Sequence, residues 1–492
     1  MESIRVKNLR SIVDSGEFKI NKINILLGRN SSGKSSLLRI FPMFTESAKH
    51  ELRGPLLWTD EDYDYGSFKK ALHNNSENKA ISFSFCWDLS RDKKRKDFFP
   101  YLKGSKELTL TLTIAEKGSS VILKELSLDA ATVDLKIIAD DSSDEAVVNC
   151  YINNEKINIK AYWQYETRGV LPNFMVQFPV SSLLRNILQV QEQYKDFAQG
   201  KNMNLLNFIS VSELSVPAIQ KEIESFLYDK LLLNKKSSKQ IEKELFNFII
   251  TPLIRSLLSY CDQYLSYYFR HSFYIAPLRY TQRRYMIDNE FAIDQVDPTG
   301  KNLINFIGSL KQDELKYLNE FLANTLGINI EVEGSIHKEL KIIYHDATTH
   351  NIVDVGYGYT QLLPIAINLW DVARTQTEIE NTIIIEQPEV HLHPSMQSNL
   401  AHLILTTIEE AKRNDIDVRF IIETHSAYLV NRLGMYVYTT NRPIATKYPQ
   451  HKISANQISI YLFNKENDIT EIQSTSFDEK GRINKWPVGF MD

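Results

Sequence analysis

The stretch that decides the fold is "INILLGRNSSGKSSLLRI", residues 23–40. Residues 23–27 predict an apolar strand, the loop after them fits G-x-x-x-x-G-K-[ST], and a helix is predicted from Gly33 through Met43. In that order of elements, backbone N–H groups can surround the β- and γ-phosphates of a nucleotide. The sequence therefore predicts an α/β fold built around a phosphate site.

The loop carries the two side chains that this chemistry needs. Lys34 supplies a point charge to the phosphates, and the Ser35 hydroxyl is a ligand for magnesium. A chance glycine turn is the alternative, but the strand before the loop and the helix after it disfavour that interpretation. The predicted nucleotide-binding residues are Gly28, Arg29, Asn30, Ser31, Ser32, Gly33, Lys34, Ser35 and Ser36.

A second apolar strand ends in an acid, in "IIIEQPEVHLHP", residues 383–394. Ligands of open α/β sheets bind at the carboxyl ends of the strands, so Glu386 is predicted to face the magnesium ion held by Ser35. The next position, where a hydrolytic glutamate is expected, holds Gln387. An amide is no base near pH 7, although it can orient a water molecule. Glu389, two residues further on, is the alternative group for that water.

Two further motifs follow strands. "DVGYGYTQLLPI", residues 354–365, predicts a glycine-rich turn before a helix that begins near Tyr359. Such a turn is either an anion cradle for a nucleotide held by another subunit or an ordinary strand-to-helix connection. "FIIETHSAYLV", residues 420–430, places His425 after an apolar strand. A lone histidine is more often structural, but this one follows the Glu386 strand by one helix and can contact the same γ-phosphate.

The bulk composition is that of an ordinary globular protein. The chain has 492 residues and a formal net charge of -4, so DNA could be bound only by a local patch. Arg279, Arg283 and Arg284 are candidate contacts for DNA or a protein partner, and pairing with acids of the same chain is an equal alternative. Three cysteines without a CxxC motif indicate a reducing compartment, and no apolar run approaches the ~20 residues that cross a bilayer. We expect a cytoplasmic protein with no membrane contact.

The patterning divides the chain into three segments. Short runs with a period of two between residues 79 and 165 predict an antiparallel sheet, and the period becomes helical near residue 181. An α/β pattern returns after residue 272, with a helix near 302–325 and a last hairpin at 457–473. The predicted segments are 1–180 with the phosphate loop and β subdomain, 181–272 as a helical insertion, and 273–492 as a second α/β lobe.

In this order the motifs resemble the ATP-binding-cassette class of ATPase that includes the SMC and OLD families. "YIAPLRYTQRRY" (274–285) and "EKGRINKWPVGF" (479–490) add a similarity to a bacterial OLD-like AAA ATPase family. Members of that family and of related ones accompany effector proteins in anti-phage defence of the Septu and PARIS kinds. The fold that the resemblance implies is a P-loop ABC-type ATPase head, with a RecA-like mixed sheet, an antiparallel β subdomain and a helical insertion.

The resemblance also implies roles. Residues 28–35 would be the Walker A motif, Glu386 the Walker B acid and His425 the switch histidine. The signature that caps ATP across a dimer would be Gly356, Gly358 and Thr360. The implied cofactors are ATP and Mg²⁺, and the implied first partner is a second copy of the chain, in an ATP-dependent homodimer or higher homo-oligomer.

These features predict slow ATP hydrolysis. General-base help is worth ~10²–10⁴-fold, and Gln387 cannot supply it. An OLD nuclease carries a TOPRIM domain after its ATPase, and none is expected in the short stretch after His425, so a nuclease or toxin activity would belong to a separate effector protein. The alternatives are a DNA-clamping repair ATPase of the SMC or RecF kind and a non-hydrolysing, ATP-bound scaffold. No structural metal is expected at His391 and His393.

Overall fold

A computed structural model describes most of the chain. The described residues are 1–91, 102, 105–131, 133–140, 147–165, 168–177, 214–224, 239–277, 283–287, 296–334, 337–375, 380–442 and 451–484. Residues 181–213 of the predicted helical insertion, the position of Arg279 and residues 485–490 of the motif at 479–490 lie outside them.

The described residues form twenty strands and ten α-helices. The strands are β1 (Ser3–Leu9), β2 (Ile12–Asp14), β3 (Phe18–Lys19), β4 (Ile23–Gly28), β5 (Ala80–Asp88), β6 (Glu107–Lys117), β7 (Ser120–Ala130), β8 (Val133–Ala139), β9 (Val147–Ile152), β10 (Glu155–Gln164), β11 (Asn173–Gln177), β12 (Ser272–Ile275), β13 (Met286–Ile287), β14 (Ile328–Glu333), β15 (His337–Tyr344), β16 (Thr349–Asn351), β17 (Asn381–Glu386), β18 (Val418–Glu423), β19 (Ile458–Glu466) and β20 (Ile469–Thr475). The helices are α1 (Lys34–Leu38), α2 (Ile40–Lys49), α3 (Phe68–Ala71), α4 (Val216–Glu224), α5 (Lys239–Arg270), α6 (Leu303–Ser309), α7 (Gln312–Leu326), α8 (Tyr357–Arg374), α9 (Pro394–Arg413) and α10 (Ala427–Asn441).

The chain forms two compact units, each built from several segments. The first contains Met1–Leu9, Glu46–Trp58 and Gly66–Tyr267, and the second contains Arg10–Thr45, Thr59–Tyr65 and Tyr268–Asp492. The phosphate loop therefore groups with the C-terminal half of the chain, whereas the sequence pattern had grouped it with the β subdomain. Helices α4 and α5 group with the antiparallel strands.

The first unit is built on a large antiparallel sheet. Strands β5 to β11 pair in chain order, and β1 lies beside β5. The alternation in "ELTLTLTI" explains the pairing: Leu108, Leu110 and Leu112 are buried, and the threonines between them point to the other face. The prediction of an antiparallel sheet from the period of two is confirmed. Within this unit the indole of Trp87 stacks on the ring of Tyr264 from α5, with centroids 4.6 Å apart.

The second unit is built on a six-stranded sheet in the order β12, β17, β18, β4, β19, β20. The first five strands are parallel, and β20 returns antiparallel to β19. Every residue of β4, β17 and β18 is buried, which is typical of parallel strands covered on both faces. The register aligns Glu386 with Glu423, and Glu423 with Leu26. The polar residues that follow these strands therefore meet at one edge of the sheet.

The helices of the second unit supply its apolar core. Side chains of α8, α9 and α10 pack with those of the parallel strands in one cluster that includes the buried Trp370. The single helix predicted near 302–325 is instead two helices, α6 and α7. Leu310 is extended between them, and the backbone N–H of Lys311 donates to the Glu314 carboxylate at 3.0 Å, which caps the second helix.

None of the helices in the described ranges is both long and apolar enough to cross a membrane.

Candidate nucleotide-binding site

A cavity of about 360 Å³ opens beside the glycine loop in the second unit. Residues 30–36 of the loop line it, and Arg10, Ser11, Gln387, Glu423 and Lys465 complete the wall. Seven of the nine predicted loop residues therefore border one cavity. The other two, Gly28 and Arg29, contribute backbone carbonyls to the Lys34 ammonium.

The helix after the loop is interrupted. The sequence predicted one helix from Gly33 through Met43, but α1 ends at Leu38 and α2 begins at Ile40. Pro42 explains the break, because proline has no N–H and its ring collides with the carbonyl four residues earlier, that of Leu38. Arg39 lies at the junction between the two helices.

Lys34 is held under the loop. Its ammonium donates to the carbonyl oxygens of Gly28 at 2.9 Å and Arg29 at 2.8 Å, and only 2% of the side chain is exposed. Burial lowers the pKa of this ammonium, and the carboxylates of Glu423, Glu389 and Glu386 oppose that shift. The charge is therefore fixed at the cavity wall where a phosphate would need it.

The acid that contacts Ser35 is Glu423. The Ser35 hydroxyl donates to the Glu423 carboxylate at 2.7 Å, and the Lys34 ammonium lies 3.8 Å from it. Burial, together with the neighbouring Glu386 charge, raises the pKa of Glu423 to about 7, against the opposing charge of Lys34. The sequence predicted that Glu386 faces the magnesium ion held by Ser35, whereas the carboxylate that contacts the Ser35 hydroxyl in the structure is that of Glu423.

The carboxylate of Glu386 is bound by Arg39 and Tyr274. Its carboxylate accepts two hydrogen bonds from the Arg39 guanidinium, at 3.0 and 2.7 Å, and one from the Tyr274 hydroxyl at 2.6 Å. Burial alone would lower the pKa of Arg39, but these bonds and the Glu386 charge outweigh it and raise the pKa. Burial and the Glu386 charge likewise raise the pKa of Tyr274. Glu386 is thus neutralised by a cation of its own chain.

Gln387 and Glu389 have different surroundings. Gln387 has a left-handed backbone, with φ 44°, and is one of the residues that line the cavity, while its N–H donates to the Glu423 carbonyl at 2.9 Å. The Glu389 carboxylate accepts from the Thr424 hydroxyl at 2.8 Å and from the His425 N–H at 2.6 Å. Of the two groups proposed to handle water, Gln387 faces the cavity and Glu389 braces the loop after β18.

Comparison with known families identifies the chain. Residues 1–430 match the AAA ATPase domain family. The chain belongs to this family. Residues 453–492 match a second family, which is described only as a protein of unknown function (DUF3696).

Individual relatives of this AAA ATPase are distant. The endonuclease GajA of Bacillus cereus (strain HuB5-5) is 28% identical over 141 residues, which are 27% of this chain and 20% of GajA. The chain thus matches only about a fifth of the length of that relative. An Smc head bound to the C-terminal winged-helix domain of ScpA aligns over 97% of this chain and 98% of its own, with 10% identity and a TM-score of 0.39. The SMC head of Thermotoga maritima aligns over 96% and 97%, with 8% identity and a TM-score of 0.35. TM-scores this low support no argument about the function of this chain.

The donor set of the AAA ATPase site suits magnesium. Mg²⁺ in nucleotide sites binds one or two protein oxygens, and phosphates and water supply the rest. Ser35 and Glu423 place a hydroxyl and a carboxylate oxygen together at the cavity wall. In the described ranges, no group of three or more His, Cys, Asp or Glu side chains could hold a metal ion by itself. His393 instead caps α9, because its Nδ1 accepts from the Ser395 N–H at 3.3 Å.

His425 follows β18 as predicted but does not border the cavity. Burial and the Lys34 charge lower the pKa of its imidazole to about 4, so the ring is neutral at pH 7. A neutral ring offers one N–H donor and one nitrogen acceptor.

The predicted signature begins helix α8. Gly356 is the exposed residue before the helix, which starts at Tyr357, two residues earlier than expected. Pro364 is consequently the eighth residue of the helix and lies beyond its first turn. Gly356, Gly358 and Thr360 do not line the cavity of their own chain. Near them, Arg284 makes two hydrogen bonds to Asp354, at 3.0 and 2.6 Å, so this arginine pairs within the chain.

Sequence reasoning missed several residues of the site. Glu423 carries the same signal as Glu386, an acid at the end of an apolar strand, and could have been found by that signal. Arg39 and Tyr274 lie in stretches quoted above, but no pattern in those stretches marks their contact with Glu386. Lys465 and Ser11 reach the cavity from parts of the chain that have no phosphate-binding pattern.

Proposed function

We propose that this protein is an ATP-binding, slowly hydrolysing ATPase whose two copies close on ATP, and that this closure regulates a separate effector in anti-phage defence. The observation that carries the proposal is the buried Lys34 ammonium at the wall of the cavity, beside the Ser35 and Glu423 pair. Membership of the AAA ATPase domain family supports the nucleotide.

Slow hydrolysis is proposed because the cavity wall offers an amide where a base is expected. Gln387 lines the cavity, and Glu389 is occupied by Thr424 and the His425 N–H. Without a general base we expect turnover ~10²–10⁴-fold below that of an ATPase that has one. Hydrolysis lost in Gln387→Ala but retained in Glu389→Gln would assign the water to Gln387. Steady-state turnover on the order of 10 s⁻¹, typical of enzymes, would contradict the proposal.

Magnesium is proposed to bind at Ser35 together with Glu423. Both oxygens are of the hard type that magnesium prefers, and the carboxylate is already 2.7 Å from the hydroxyl. Glu386, the acid predicted from the sequence, would stabilise the site indirectly, through its ion pair with Arg39.

Association through ATP is proposed from the position of the signature. Gly356 is exposed at the start of α8, and the signature residues are absent from the wall of their own cavity, as expected if they serve the nucleotide of a second copy. Light scattering with and without ATP and magnesium tests this. We expect an ATP-dependent increase in mass that Lys34→Ala abolishes. Equal mass in both conditions, despite measured ATP binding, would refute association through ATP.

The defence role is proposed from the similarity to GajA. GajA is named as an endonuclease, and the similarity covers 141 residues of it. We propose that this chain acts with a nuclease or toxin encoded beside it. Purification of the native protein with its neighbouring gene products, in ATP and magnesium, tests the partnership. Absence of any stoichiometric second protein in both nucleotide states would count against it.

A further inference from the structure

The C-terminal hairpin, β19 and β20, lies directly against the phosphate loop. Strand β19 runs parallel to β4, and the register places Phe463 beside Gly28. A Cβ atom on Gly28 would lie 2.3 Å from the Phe463 carbonyl oxygen, which is too close for any side chain. The first glycine of the loop is therefore required by the hairpin. Both strands belong to the segment that matches the family of unknown function.

The second strand of the hairpin holds the loop through Thr470. Its hydroxyl donates to the Ser32 carbonyl at 2.9 Å and shares a 2.7 Å hydrogen bond with the Ser11 hydroxyl, and only 2% of the residue is exposed. Its N–H donates to the Ser11 carbonyl at 2.7 Å. A Cβ atom on Gly33, whose φ is +100°, would lie 2.8 Å from the Thr470 hydroxyl oxygen. Thr470 thus fixes the loop between its two glycines.

The first strand of the hairpin brings a cation to the cavity. Lys465 lines the cavity with residues 30–36, and its ammonium lies 3.0 Å from the Asp468 carboxylate in the turn of the hairpin. Asp468 is 86% exposed, so this pair is screened by water and contributes little to stability. The lysine can therefore exchange this partner for a more highly charged anion at small cost.

We propose that the C-terminal hairpin is part of the nucleotide site, where Thr470 holds the phosphate loop in its binding conformation and Lys465 supplies a second cation to the phosphates. The segment of unknown function would then complete the ATPase site. This inference rests on the proposed function only in requiring that a nucleoside triphosphate occupies the cavity.

Lys465→Met tests the cation, and Lys452→Met is the control, because Lys452 is exposed just before this segment and does not line the cavity. Calorimetric titration should show ATP binding to Lys465→Met about tenfold more weakly than to the wild type, as for loss of one charge-assisted contact. AMP should be affected less than ATP, and the control should bind as the wild type does. If the wild type binds ATP and Lys465→Met binds within about twofold of it, the inference fails and the proposed function stands. If the wild type binds no ATP, both fail.

Thr470→Val and Thr470→Ser test the support of the loop. The valine has nearly the same size but no hydroxyl, so we expect weaker ATP binding and faster amide exchange in residues 28–35. The serine should restore both. Thermal unfolding without nucleotide reports whether either variant is misfolded. Unchanged affinity and exchange in a folded Thr470→Val, or failure of the serine to restore them, would overturn the role of the hydroxyl.

Discussion

Two neighbouring strand ends, those of β17 and β18, present the same sequence signal and different chemistry. Each is a fully buried apolar strand that ends in glutamate, and the two acids are paired in register. Glu386 meets a guanidinium and a phenol, whereas Glu423 meets the hydroxyl and ammonium of the phosphate loop. An acid at a strand end therefore predicts a site, and the neighbours of the acid decide which role it has.

The largest expected effect comes from removing Glu386. Glu386→Ala leaves the Arg39 guanidinium without its counter-charge, and breaking a buried ion pair costs about 3 kcal/mol. Urea denaturation measures the free energy of unfolding. Glu320→Ala, an exposed glutamate on α7, is the control and should change it by less than about 0.5 kcal/mol. Equal stability of the two variants would mean that the Arg39 pair contributes nothing.

Substitution of Glu423, but not of Glu386, should change how strongly ATP binding depends on magnesium. In Glu423→Gln, the ratio of ATP affinities measured with magnesium and with a chelator should fall by about tenfold, because a ligand-side carboxylate is lost. Glu386→Gln should retain the ratio of the wild type. If Glu386→Gln lowers the ratio and Glu423→Gln retains it, the magnesium-side carboxylate would be Glu386, as the sequence alone had predicted.

Glu423 and His425 should change the free energy of unfolding with pH in opposite directions. The pKa of Glu423 is raised from 4.5 to about 7 in the folded protein, so the folded state binds the proton more tightly and loses stability as the pH rises through that range. The pKa of His425 is lowered from 6.5 to about 4, so stability is lost as the pH falls through that range.

Denaturation of two variants between pH 4 and 8 measures these contributions. Relative to Glu423→Gln, the wild type should lose stability with rising pH, and relative to His425→Gln it should gain stability. Each slope should be at most about 1.4 kcal/mol per pH unit. Parallel curves for the wild type and both variants would show that neither group titrates abnormally.

The smallest effect is expected for Tyr274→Phe. This change removes one hydrogen bond to Glu386 and leaves both bonds from Arg39, so the free energy of unfolding should fall by about 1 kcal/mol. A double-mutant cycle with Glu386→Gln measures the coupling between the two side chains. A coupling energy of zero would show that the Tyr274 hydroxyl does not stabilise Glu386.

Local patterns predicted the phosphate loop and the strands that converge on it, because the motif and the apolar runs are contiguous in the sequence. The antiparallel sheet followed from the alternation in residues 79–165 for the same reason. The break between α1 and α2 after Leu38 could also have been predicted, because Pro42 disfavours a continuous helix there. The start of α8 at Tyr357 was harder to predict, because helix ends depend on neighbouring packing.

Long-range pairing could not be predicted in this way. Ser35 and Glu423 are separated by 388 positions, and Thr470 and Ser32 by 438. No local period records which of two strand-end acids turns toward the loop. That choice depends on Arg39 and Tyr274 together, and no local pattern marks the contact of either residue with Glu386.

The position of β4 between β18 and β19 has a consequence for synthesis of the protein on the ribosome. The strand that carries the glycine loop spans residues 23–28, yet both of its neighbours are translated more than 380 residues later. A nascent chain therefore carries a complete phosphate motif without β18 until translation has passed residue 423, and without the hairpin that holds the loop until translation has passed Thr470. The proposed binding of nucleotide should therefore begin only after Thr470 has been made and the hairpin has paired with β4.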